Sequence, residues 1–270
     1  MNPKRLQVEV ESRIMERSRR IGIHRYSAGR SHLAEDQLAS ETLIHLHSEE
    51  IKIASLLGTP TDLKELFLGH ACSEGYGCFP DAKIEAEQTL SGSVNVSIDQ
   101  PISSPDSNRG VITSSCGACN ADGLEELMEG LPMYSSTHLP IEHPILYQAL
   151  ESMKTLQIGF ADTGGMHAAA LWNHHLGLRH LREDIGRHNA VDKTIGSGLI
   201  EGVSFDEELL FLSGRCGWDI VAKAARSGIG TIVCIGACST LAADTARSLG
   251  MRIYSFMKRE SSVAIGLLSH

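Results

Sequence analysis

At 270 residues, with 42% hydrophobic and only 5% aromatic residues, the chain is long enough for one large domain or two small ones around a sizeable core. A formal net charge of −9 argues against a nucleic-acid-binding protein. No apolar run reaches the roughly 18 residues of a membrane-spanning helix.

Charge is unevenly spread. Residues 1–30 hold eight Lys/Arg and three Asp/Glu, so a basic N-terminal arm precedes an acidic body. Such an arm reads either as a contact for an acidic partner or anionic ligand, or as a solvated terminus. Met1-Asn2-Pro3-Lys4-Arg5 is not followed by the apolar core of a signal peptide, and a cytoplasmic location is expected. In that compartment the seven cysteines do not argue for a disulfide framework. Cys234, inside Thr231-Ile232-Val233-Cys234-Ile235, reads as a buried thiol, and Cys72 and Cys78 as structural or incidental.

In chain order, residues 43–47 and 51–56 alternate as two strands around Ser48-Glu49-Glu50, a hairpin. Thr59 as cap and Pro60 at the first position predict a helix carrying Leu63, Leu66 and Phe67, ended by Gly75 and Gly77. Val94, Val96 and Ile98 predict a strand. Residues 100–110, rich in Pro, Ser and Asp, predict a surface loop that leads to Ser114-Ser115-Cys116-Gly117-Ala118-Cys119-Asn120. This front portion has an α+β pattern. Pro and Gly cluster over residues 130–144. Beyond them Ile145, Leu146, Ala149, Leu150, Met153 and Leu156 form a helical stripe. Strands over 166–171, 178–181, 208–212, 231–236 and 251–256 then alternate with helices over 189–199, 218–227 and 239–249. That alternation implies an α/β unit with a largely parallel, buried sheet. The resulting division is an arm at 1–30, a small α+β domain at 31–140 ending in the cysteine loop, and an α/β domain at 141–270.

Cys116 and Cys119 are flanked by small residues that let a partner approach closely. Asn120 and Asp122 suit the cap of a following helix, whose dipole would favour thiolate. Three chemistries fit this pair: half of a zinc site, thiol–disulfide exchange, or sulfur transfer through a cysteine persulfide. A zinc deaminase pattern is incomplete, because Ser115 stands where the motif needs proline. Open parallel sheets bind ligands beyond the carboxyl ends of their strands. Three polar stretches are predicted there: residues 182–193 with Arg187 and His188, then Ser213-Gly214-Arg215, then Ala237-Cys238-Ser239-Thr240. Lys258 and Arg259 add cations after the last strand, and His167 follows a glycine turn. Together they suggest a concave anion site. Each alone also fits ordinary capped helix starts, solvated charges or a satisfied histidine.

Several stretches carry a family resemblance. They are Thr59-Pro60-x-Asp62-Leu63-x-Glu65-Leu66, Ser73-Glu74-Gly75, Ser115-Cys116-Gly117-x-Cys119, and Thr163-Gly164-Gly165-x-His167-Ala168-Ala169. Two more are Glu183-Asp184-x-Gly186-Arg187-His188-Asn189-Ala190-x-Asp192-Lys193 and Ser213-Gly214-Arg215. The chain resembles the formate dehydrogenase accessory sulfurtransferase family, FdhD/NarQ. The resemblance implies a sulfur carrier that takes persulfide sulfur from a cysteine desulfurase. It passes that sulfur to the molybdenum cofactor in its bis-guanine-dinucleotide form before the cofactor enters formate dehydrogenase. It implies Cys116 as persulfide carrier and Cys119 as its partner. Cofactor contacts would come from Phe256, Met257, Lys258, Arg259, Glu260 and Ser261, with His167, Arg187, His188 and Arg215. It also implies a homodimer, and a back unit with a three-layer mixed sheet like that of cytidine deaminases, without zinc. A thiol–disulfide oxidoreductase or a cofactor-binding chaperone is the alternative. Two departures from the family pattern stand out: Cys238 occupies a turn position usually held by proline, and Trp218-Asp219 replaces a Phe-Glu type pair.

Overall fold

The computed structural model describes residues 15–102, 128, 130–134 and 141–266. The cysteine loop with Cys116 and Cys119, and its predicted following helix, lie outside the described residues.

The chain enters through a hairpin. Strands β1 (Ser18–Ser27) and β2 (Arg30–Ala39) pair antiparallel around Ala28 and Gly29, with φ of 49° and 75°. Two successive left-handed residues give a turn whose twist matches the strands it joins. The second half of the expected arm is therefore strand. Most of its side chains face solvent, so it lacks the apolar alternation that would have marked it.

Strands β3 (Thr42–Ser48) and β4 (Ile51–Gly58) form the expected hairpin. With β5 (Ile84–Gln88) and β6 (Val94–Ile98) they make a four-stranded sheet ordered β4-β3-β6-β5, in which β3 and β6 run parallel. Helix α1 (Leu63–Ser73) buries Leu63, Leu66, Phe67 and Ala71 against Ile44, Leu46, Val94 and Val96 of this sheet. It starts later than Thr59 and Pro60 predict. Thr59 is held elsewhere: its N–H donates to Asp184 Oδ2 at 3.0 Å, and its hydroxyl oxygen accepts from Ile185 N–H at 3.2 Å. Asp62, with φ of 52°, becomes the N-cap residue. Beyond the helix, Gly75 and Gly77 take positive φ and turn the chain back, leaving Cys72 and Cys78 bridged with their Cα atoms 4.6 Å apart. Of the two readings, structural or incidental, this disulfide favours the structural one, and it corrects the expectation that the cysteines form no disulfide.

The back half builds a six-stranded sheet ordered β12-β11-β10-β9-β7-β8. Its strands are β7 (His167–Asn173), β8 (Gly177–Asp184), β9 (Leu209–Leu212), β10 (Thr231–Cys234), β11 (Arg252–Ser255) and β12 (Val263–Gly266). β9, β10 and β11 run parallel, whereas the β7–β8, β7–β9 and β11–β12 pairs are antiparallel. The sheet is thus mixed rather than largely parallel, because β7 and β8 form a hairpin. β9 and β11 are buried at every position and β10 at all but Thr231, as strands covered on both faces should be.

Helices α2 (His143–Leu156) and α3 (Ile158–Thr163) precede this sheet. Leu146, Leu150 and Met153 of α2 pack one face of it, against Ala170, Phe211, Val233 and Tyr254. Helices α4 (Arg187–Ile200), α5 (Trp218–Arg226) and α6 (Thr240–Leu249) cover the other, with Val191, Ile195, Val221 and Ala246 on Leu210, Leu212, Ile232 and Ile253. The result is helix, sheet, helix: three layers.

The two sheets meet through α1 and α4. A Cβ on Gly69 would stand 1.7 Å from Asp192 O, and one on Gly196 would stand 1.9 Å from Glu65 O. Only glycine allows so close a crossing. Around it lies a buried ionic network. Lys223 Nζ donates to both carboxylate oxygens of Asp192, at 2.8 and 3.0 Å, and pairs with Glu74 at 2.6 Å. Ser73 Oγ donates to Asp192 at 2.7 Å, and His70 Nδ1 lies 3.1 Å from it. Lys193 Nζ pairs with Asp184 at 2.7 Å and donates to Thr59 O at 2.9 Å.

Candidate functional site

Strand registers decide which loops meet. His167 pairs with Asp184 and Ala169 with Leu212, so the start of β7 lies beside the ends of β8 and β9. The ends of parallel β10 and β11 complete the row. Four segments therefore leave one edge of the sheet: Asp184 to Arg187, Ser213 to Gly217, Ile235 to Ser239 and Phe256 to Ser261. Hydrogen bonds between the segments bind this edge together. Ala168 N–H donates to Ser213 Oγ at 2.8 Å, Gly236 N–H to Gly214 O at 3.1 Å, and Phe256 N–H to Gly236 O at 3.0 Å. A Cβ on Gly214 would come 3.1 Å from His167 Nδ1, so glycine leaves the imidazole its room here.

A cavity of about 410 Å³ opens at this edge, lined among others by Lys154, Gln157, Phe160, His167, Ser213 and Ile235. Burial lowers the pKa of half-buried His167, and the Arg187 and Arg215 guanidiniums lower it further. His167 is therefore a neutral hydrogen-bonding group beside two cations. Arg187 opens α4, and its buried Nε–H has no hydrogen-bond partner among the described residues. Arg215 projects into solvent. Both guanidiniums act on His167, and guanidiniums favour planar, bidentate anionic acceptors.

The stretch from Phe256 to Ser261 divides by function. Met257 is 3% exposed and anchored, its N–H donating to Cys234 O at 3.2 Å. Phe256, with φ of 49°, is 48% exposed, and Lys258, Arg259, Glu260 and Ser261 are all exposed. Lys258 N–H donates to Ser261 O at 2.9 Å, which closes a turn that presents the two cations.

Other expected contacts face inward. His188 is buried against Asp219, and burial brings its pKa down to about 4 although Asp219 opposes the change. Its partner is internal. Within the polar run at 182–193, Asp184, Asp192 and Lys193 belong to the buried network just described, and Asn189 donates to Leu57 O at 2.8 Å. Glu183 accepts from the N–H groups of Gly159 and Phe160 at 2.7 and 2.8 Å, holding the start of α3. Most of this run fastens the front sheet to the back one, and Arg187 is the member that reaches the edge. Lys154 and Gln157 line the cavity without a motif to mark them; both come from the end of the α2 stripe. Among the described residues, no group of three or more His, Cys, Asp or Glu side chains has an arrangement suited to a metal ion.

The layers and the loop edge define the class: a three-layer α/β protein with arginines at one loop edge of its sheet. Residues 39–265 match the FdhD/NarQ family model, and the chain belongs to that family. It is 34% identical over 242 residues to the sulfur carrier protein FdhD of Thermoplasma volcanium, covering 84% of this chain and 86% of that one. It is 32% identical over 209 residues to the sulfur carrier protein FdhD of Picrophilus torridus, covering 77% and 79%. A crystal structure of a candidate formate dehydrogenase accessory protein from Desulfotalea psychrophila superimposes with a TM-score of 0.73 at 23% identity. It covers 93% of this chain and 98% of that one, and establishes the shared fold.

Proposed function

We propose that this protein is a sulfur carrier for the maturation of formate dehydrogenase, with the molybdenum cofactor in its bis-guanine-dinucleotide form as acceptor. One observation supports the acceptor assignment: His167, which lines the cavity at the carboxyl edge of the sheet, is held neutral by burial and by the nearby Arg187 and Arg215 guanidiniums. Phosphates are the anions such donors suit. The turn at Lys258 and Arg259 extends the cationic rim, with exposed Phe256 available to stack on a base.

The carrier step is assigned to Cys116. Its thiolate attacks the outer sulfur of a cysteine desulfurase persulfide; a new S–S bond forms, and the desulfurase leaves as thiolate. Sulfur then passes to the cofactor at the edge, with Cys119 assisting release. The acting form is a cytoplasmic homodimer, and the three-layer unit is read as deaminase-like. The chain divides near residue 140, and the two parts work as one body across the α1–α4 contact. Incubation with desulfurase and cysteine, followed by intact-mass measurement, tests the carrier step. Wild type gains one cyanide-labile sulfur atom, and Cys116→Ala does not. A Cys116→Ala protein that still gains it overturns the assignment.

A further inference from the structure

Three cysteines outside the carrier loop gather at the same edge. Cys216 follows Arg215 and Cys238 follows Ala237, and the two pair as an isolated parallel bridge just past the ends of β9 and β10. Backbone bonds close the bridge on both sides: Cys216 N–H donates to Ala237 O at 3.0 Å, and Ser239 N–H to Cys216 O at 3.1 Å. Neighbouring parallel segments lie about 4.8 Å apart with paired side chains on the same face. That separation falls within the range of about 4.4–6.8 Å between Cα atoms that a disulfide requires. Cys216 is buried and Cys238 half-buried. Cys216 Sγ lies 4.0 Å from Gly217 O and Cys238 Sγ 3.4 Å from Ser239 O; interaction between the two thiols lowers the pKa of Cys238 and, with burial, raises that of Cys216 well above the ordinary value. Cys238 therefore has the better nucleophile's character, with a protonated thiol against it. Cys234, by contrast, is buried within β10, its pKa pushed up to about 12, and takes no part. The pair is tied to the ligand edge through Gly236, which bonds both Gly214 and Phe256.

We propose that Cys238 and Cys216 form a second sulfur-handling site at the ligand edge, where Cys238 accepts sulfane sulfur and Cys216 discharges it as hydrogen sulfide. The proposal rests on the sulfur-carrier reading for the nature of the cargo. In the first step the Cys238 thiolate attacks the outer sulfur of a donor persulfide. The donor S–S bond breaks, the donor leaves as thiolate, and Cys238 becomes a persulfide that keeps the terminal proton. In the second step the Cys216 sulfur attacks Cys238 Sγ. A Cys216–Cys238 bond forms, the bond to the outer sulfur breaks, and the proton from Cys216 leaves with it as hydrogen sulfide. Both cysteines are oxidised to the disulfide and the sulfane sulfur is reduced to sulfide, so the electrons balance. A dithiol reductant restores the two thiols.

The test uses the full chain carrying Cys116→Ser and Cys119→Ser, with glutathione persulfide as donor and peptide mass mapping as readout. The Cys238 peptide should gain one sulfur atom. A Cys216–Cys238 disulfide should follow, with one equivalent of sulfide released. Adding Cys216→Ala should hold the persulfide on Cys238 and abolish sulfide release. A Cys238 that stays unmodified overturns the proposal, and so does a disulfide formed without equivalent sulfide. The latter two readouts need no Cys216 variant, so they decide even if that variant folds poorly. Cys116 loading by desulfurase is measured separately, so either reading can fail alone.

Discussion

At the scale of residues, the arginines differ in how closely they are paired inside the protein. Arg182 pairs with Asp62 and Glu65 at 3.5 and 3.3 Å, and Arg179 with Glu208. Arg182 and Arg187 each keep a buried Nε–H without a hydrogen-bond partner among the described residues, but the carboxylate paired with Arg187, Asp219, stands farther off, at 3.9 Å. Hydrogen bonds to charged groups contribute about 1.5–3 kcal/mol each. Arg187→Ala and Arg215→Ala should therefore each weaken guanosine diphosphate binding by about ten- to hundredfold, measured by titration calorimetry, while circular dichroism stays unchanged. Unaltered affinity in both would remove nucleotide from this edge. Sequence pattern could not separate Arg187 from its neighbours in the run at 182–193. A charge at a helix start looks the same whether its partner is a ligand or a residue far along the chain. Here Asp192 and Lys193 face His70 and Thr59, more than a hundred residues earlier.

At the scale of elements, the crossing of α1 on α4 has no slack. Gly196→Ala would drive a methyl group into the backbone of Glu65. Overpacking of this kind costs about 1–3 kcal/mol and sometimes more. The expected outcome is a lower urea midpoint for Gly196→Ala. Gly22→Ala serves as control, because a Cβ there meets nothing within 4 Å; it should stay within about 0.5 kcal/mol of the parent. Elements whose apolar period is complete were legible: β3, β4, β6 and the alternation from β9 to β11. Each predicted span there falls within a few residues of the observed one. The hairpin of β1 and β2, the short α3 and the strands β5 and β12 were not, because solvent exposure or brevity leaves them no period. The antiparallel entry of β7 was also hidden, since a buried strand of Ala and Leu reads alike in either direction.

At the scale of the whole molecule, buried charge joins the two sheets. Burial alone would raise the pKa of Asp192, but Lys223, His70 and the hydrogen bonds they make bring it down to about 2. A carboxylate held below its unfolded value of about 3.9 contributes stability above that value and loses it as pH falls toward the folded one. Glu74 is lowered in the same direction, chiefly by Lys223 against the opposing effect of burial. Urea unfolding should therefore show stability dropping most steeply from about pH 4 to about pH 2, and Asp192→Asn should flatten that slope. A slope unchanged in Asp192→Asn would place the acid sensitivity elsewhere. The convergence of loops on one edge was legible from alternating strands and helices alone. The fastening of front to back was not, and neither was the Cys72–Cys78 bridge, because both depend on how the chain returns in space.

The same fastening sets an order of assembly. Helix α1 is made early, yet Lys223 donates to Ser73 across 150 residues and Lys193 to Thr59 across 134. Contacts of such separation form late, after the chain between them has been fixed. During synthesis, at roughly 5–20 residues per second, the front sheet leaves the ribosome many seconds before Lys223 exists. Until then Asp192 has no lysine from α5 to meet, and until α4 is made the face of α1 around Gly69 has nothing to cross. The nascent front half is thus the stage of this protein's life most exposed to chaperones and to aggregation.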